Sequence, residues 1–97
     1  GVAHTVCDLT VSNNRVSGAD SAPTRGLTIT YTDYFIVTIN TCDKTQTNGI
    51  LVSDSDYGIV KNNIVRNFDL ASESNPAILL DATPVNVTQS DNIGDDI

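Results

Sequence analysis

The sequence predicts an all-β solenoid, three to four short parallel coils wound into one cylinder. Three observations predict it. The chain repeats itself at intervals in the twenties, its apolar residues alternate along short β-branched runs, and an asparagine returns at one phase of every repeat. Stacked-coil solenoids look this way in sequence, because each repeat is one supersecondary unit that buries its apolar face only against its neighbours.

The repeats run in order along the chain. An incomplete first copy is Leu9-Thr10-Val11-Ser12-Asn13-Asn14-Arg15-Val16. The next opens with Gly26-Leu27-Thr28-Ile29 and continues through Tyr34-Phe35-Ile36-Val37-Thr38-Ile39-Asn40 and Cys42. Another has Gly49-Ile50-Leu51-Val52, then Tyr57-Gly58-Ile59-Val60-Lys61-Asn62-Asn63-Ile64-Val65. The last has Ala77-Ile78-Leu79-Leu80, Thr83 and Asp91-Asn92-Ile93. Leu27, Ile50 and Ile78 fall 23 and 28 residues apart and form one expected interior row. Ile29, Val52 and Leu80 form the next, since strand side chains alternate between faces. Gly26, Gly49 and Ala77 precede these strands, small residues suited to tight corners. The surplus residues are expected to loop out at 17–24 and 69–75, both rich in turn formers. Apolar residues never keep helical spacing for more than a turn, so no helix is expected.

Asn14, Asn40, Asn63 and Asn92 share one phase, separated by 26, 23 and 29 residues. Valine stands three residues before the first three of them, at Val11, Val37 and Val60. Asparagines stacked at a corner bond turn backbone and one another, so a structural ladder is expected. Cys42 aligns with Val16 and Val65, and Cys7 lies outside that phase. Both are expected as small core hydrophobes, not as a disulfide. Two cysteines and one histidine without paired ligand spacing give no zinc site, and no cofactor or metal is expected.

A chain of 97 residues makes one domain, 1–97, with a small core. Coils about 4.8 Å apart give a cylinder roughly 20 Å tall, with sheet edges at both ends that invite pairing. A segment of a longer solenoid or one protomer of an oligomer is therefore expected. The net charge of −7 and the lack of a Lys/Arg cluster argue against nucleic acid and anionic membranes. No apolar run approaches twenty residues. Gly1-Val2-Ala3-His4 has neither the basic nor the apolar part of a signal peptide, so any export signal is expected to be removed or upstream.

The chemistry-bearing residues are few. Asp33 and Asp56 share a phase on successive coils, with Asp54 two residues before Asp56 and Asp81 near that phase on the next coil. Such a flank suits acid–base chemistry, for which glycosidases hold paired carboxylates about 5–9.5 Å apart, or a hard cation. It equally suits turns, where aspartate is favoured anyway. No base stands opposite it: Lys61 aligns with Ser12 and Thr38, as a solvated residue would. Tyr31, Tyr34 and Tyr57 are the candidates for contact with sugar, because Tyr34 and Tyr57 stack in phase and present a flat face. Stacked aromatics also stabilise a solenoid with no ligand. Asn86-Val87-Thr88 has the form of a glycosylation sequon.

With these motifs in hand, the chain resembles the right-handed parallel β-helices of the pectin-lyase-like superfamily, most of all the solenoid parts of bacteriophage tailspikes and of neck or tail appendage proteins. The likeness runs from about Val6 to Ile93 and is carried by core and corner residues. It implies a right-handed parallel β-helix. It further implies a homotrimer on the virion whose job is host recognition, often with cleavage of surface glycan. Because these coils show no base or metal motif, attachment by contact with bacterial surface polysaccharide is expected here, and the charge and hydropathy above exclude nucleic-acid binding and membrane insertion. The alternative it implies is a fragment of a β-helical polysaccharide-degrading enzyme, a glycoside hydrolase or lyase, from a secreted bacterial protein.

Overall fold

The computed structural model describes residues 6–18, 25–70, 74–81 and 85–95. Val2, His4, Thr83, and residues 19–24 and 71–73 of the two expected insertions lie outside them. Eleven strands follow one another: β1 (Val6–Ser12), β2 (Arg15–Ser17), β3 (Leu27–Thr30), β4 (Thr32–Thr38), β5 (Thr41–Asp43), β6 (Ile50–Ser53), β7 (Asp56–Lys61), β8 (Ile64–Arg66), β9 (Ile78–Asp81), β10 (Val87–Ser90) and β11 (Ile93–Asp95). Among the described residues there is no helix.

Three parallel sheets wall the cylinder. Their orders are β1-β4-β7-β10, β2-β5-β8-β11 and β3-β6-β9. Each turn of chain thus contributes one strand to each wall, giving three coils and the partial coil β1–β2 before them. This is a right-handed parallel β-helix. Register puts Leu27, Ile50 and Ile78 in one row and Ile29, Val52 and Leu80 in the next. The other two walls carry the rows Leu9-Phe35-Gly58-Val87, Val11-Val37-Val60 and Val16-Cys42-Val65, the last two ending in register on the exposed Gln89 and Gly94. Ile29, Phe35, Val37, Cys42, Ile50, Val52, Val60 and Val65 are buried and form the core.

The corners are turned by residues other than glycine. Among the described residues no glycine has positive φ, whereas 14 other residues do, with φ between 48° and 64°. Most stack in columns through the register: Asp8-Tyr34-Tyr57-Asn86, Asn13-Ile39-Asn62-Asp91, Tyr31-Asp54 and Lys44-Asn67. Each column bends successive coils at the same place, so the walls stay aligned.

Gly26, Gly49 and Ala77 stand where they do for a different reason than the turning of the chain. A Cβ on Gly26 would lie 2.7 Å from Cys42 Sγ, and one on Gly49 2.2 Å from a Val65 methyl. Where this row gains a methyl, at Ala77, its opposite number shrinks: a Cβ on Gly94 would sit 2.7 Å from Ala77 Cβ. Smallness here serves packing across the cylinder.

Two burial expectations are corrected. Cys7 is exposed. Period two from Leu9 points it inward, but Asp8 between them has φ 57° and bends the strand, as Tyr34 does in register on the next coil. Leu51, which period two from the interior Ile50 and Val52 points outward, is only 8% exposed, with Thr28 and Leu79 of the adjacent coils in register on either side. Leu79 itself is half-buried.

Candidate functional site

The column Asp8-Tyr34-Tyr57-Asn86 edges a groove of about 500 Å³ on the outer face of β1-β4-β7-β10. Its floor is the next outward row, Thr10, Ile36, Ile59 and Thr88, brought together by register. Tyr34 and Tyr57 both have φ 60°, which turns them out of the strand on successive coils. Their rings stack with centroids 5.2 Å apart and planes 14° from parallel. Both remain exposed, at 59% and 42%, so the pair offers open aromatic surface beside an apolar floor where Ile36 and Ile59 are also exposed. Such a face suits a ligand with its own apolar C–H surface.

Tyr31 does not join them. It turns the preceding corner in a column with Asp54 and does not line the groove.

The four aspartates are spread over two walls. Asp33 and Asp56 are register neighbours on β4 and β7. Asp56 Oδ1 accepts the Val85 N–H at 2.8 Å. Asp54 is exposed, with φ 50°, and its Oδ2 accepts the Ser53 hydroxyl at 3.2 Å. Buried Ser55 separates it from Asp56. Asp81 pairs with Ser53 at the end of β9. Among the described residues no three His, Cys, Asp or Glu side chains are placed to hold a metal ion.

The asparagine row sits at the corner between β4 and β5 and its equivalents. Asn14 donates its backbone N–H and Nδ2 to Asn40 Oδ1, both at 3.1 Å. Asn40 donates in the same way to Asn63 Oδ1, and Asn63 to Asn92 Oδ1. Each Nδ2 of the later three also bonds the carbonyl of the valine on the coil before: Val11, Val37 and Val60. Asn40 and Asn63 are buried, so these bonds satisfy groups that water does not reach.

A second polar row went unmarked in the sequence. At the corner between β3 and β4, buried Thr32 donates its N–H to Ser55 Oγ on the next coil at 3.1 Å. Thr32 Oγ1 and Ser55 Oγ each bond the carbonyl two residues back, at Thr30 and Ser53. Asn48, also buried, donates Nδ2 to the Pro76 carbonyl at 2.7 Å. Asn48 and Ser55 lack the in-phase likeness that marks the asparagine row. Thr45 Oγ1 is the buried polar atom left without a partner among the described residues.

Cys42 lies at the centre of the core, and burial pushes its thiol up to about 11. It therefore stays protonated and unreactive at neutral pH.

Against known proteins, the chain matches the family model for a right-handed beta helix region over residues 2–96. It belongs to that family. No curated protein and no solved structure matches it.

Proposed function

We propose that this member of the right-handed β-helix family is a structural and adhesive segment that attaches to surface polysaccharide, in the manner of the solenoids of bacteriophage tailspikes and tail appendages. The observation that carries the reading is backbone strain placed at an exposed site. The outer coils put Asp8 and Asn86 at the left-handed positions, residue types that tolerate positive φ. The two central coils put tyrosine there, at a cost of roughly 1 kcal/mol each relative to a tolerant residue. An exposed pair gains little from burial in return. A ligand lying across the rings accounts for the choice, and a glycan suits stacked rings over an apolar floor.

The same reading has three chains pack side by side. Ile64 and Ile93, in register on the outer face of β8 and β11, are exposed and supply an apolar stripe for that contact. The experiment is binding of the intact chain to bacterial capsule and O-antigen preparations, with light scattering for its assembly. Binding without shortening of the glycan, lost in Tyr34→Ala, supports the reading. Cleavage lost in Asp33→Asn or Asp56→Asn would favour the polysaccharide-degrading alternative, for which the adjacent Asp33 and Asp56 are the supporting observation.

A further inference from the structure

We infer that the groove selects neutral polysaccharide and rejects chains that carry uronate or sialate carboxylates; this inference rests on the glycan-contact reading above. Asp8 is the charged residue among those lining the groove. Asp33 and Asp56, in register before Tyr34 and Tyr57, do not line it, and Asp56 Oδ1 accepts the Val85 N–H. The cation of the same strand is Lys61, on the same face two positions beyond Ile59, and it does not line the groove. The whole chain carries −7.

Three features act against an anionic sugar. A glycan laid along the column spans three rung spacings, about 14 Å, and charges on its Asp8 end fall within a Debye length of that carboxylate. Each ring covers one face of the other, and the faces left open carry the negative part of the quadrupole, so a carboxylate laid on them is repelled while C–H groups are attracted. Ile36 and Ile59 on the floor supply no donor to an anion that loses water there. A neutral chain meets none of these costs and still finds Asp8 and Asn86 as hydrogen-bond partners for its hydroxyls.

The test is an array of neutral and acidic bacterial polysaccharides probed with the intact protein at low and high sodium chloride. Neutral chains should bind at least about tenfold more tightly than acidic ones at low salt, and the gap should narrow as salt screens the repulsion. Asp8→Lys should shrink the ratio of neutral to acidic affinity by about tenfold. Acidic chains that bind as well as neutral ones would overturn the inference and leave glycan contact standing. Silence from every chain would overturn both.

Discussion

The ring of Phe35 occupies the place where Gly58, one coil on, has no side chain: a Cβ there would fall 2.1 Å from Phe35 Cζ. The two are register partners in one interior row, which runs Leu9, Phe35, Gly58, Val87. A large residue and an absent one thus share a volume that two medium residues fill elsewhere. Gly58→Ala should destabilise the fold by about 1–3 kcal/mol through overpacking. Adding Phe35→Leu should recover part of that loss, measured as a urea midpoint. A single variant as stable as the parent would mean that the ring has room to move.

Asn63 sits between two ladder neighbours and is fully buried. It accepts from Asn40 and donates to Asn92 and to the Val37 carbonyl. Asn63→Ala should cost about 1–3 kcal/mol by stranding those groups. A loss below about 0.5 kcal/mol in chemical denaturation would reduce the ladder to a sequence rhythm.

Ile39 has φ 56° while its side chain is 58% exposed. A β-branched residue in that conformation is strained, and its column otherwise holds Asn13, Asn62 and Asp91. Ile39→Asn should raise stability by roughly 1 kcal/mol, seen as a higher melting temperature. A lower melting temperature would show that the isoleucine packs usefully against something outside its own column.

Tyr34 and Tyr57 sit in the same conformation as Ile39, so they separate binding from folding. Tyr34→Asn should keep or raise stability while glycan affinity falls by about tenfold, ~1.4 kcal/mol. The pair of assays, melting and binding on the same preparation, decides it. If both fall together, the tyrosines are structural.

Cys42 makes stability depend on alkaline pH. Its folded-state value of about 11 lies above the usual 9.0, so the native state holds the proton more tightly. Stability from this group is intact below about 9 and is lost as pH rises towards 11. Denaturation followed from pH 8 to 11 should show that decline, and Cys42→Ala should flatten it. Iodoacetamide at neutral pH should label exposed Cys7 alone until the chain unfolds.

The coil count and interior rows were legible because they depend on period. Leu27, Ile50 and Ile78 declare themselves at any alignment of the repeats, and so do the asparagines. What escaped depends on geometry that period does not encode. Thr32 and Ser55 share a corner but not an identity, so their row looks like ordinary turn polarity. Cys7 fails the alternation because Asp8 is left-handed, and nothing in an Asp-Leu dipeptide announces that. In the candidate site, the stacking of Tyr34 on Tyr57 followed from phase. Their positive φ, and the groove they edge with Asp8 and Asn86, did not, because tyrosine is not a residue that advertises a left-handed turn.

The facing pairs Gly26 with Cys42, Gly49 with Val65, and Ala77 with Gly94 bear on how such a chain can lengthen or shorten. Each pair lies within a single coil, its members 16 or 17 residues apart. A crossover falling between two coils transmits every pair intact. One falling inside a coil joins strangers, and Ala77 opposite a valine would put one more methyl where Gly49 has no room to spare. The whole coil, taken from just before its first strand to just after its last, is therefore the unit that recombination can duplicate or delete without repacking the core.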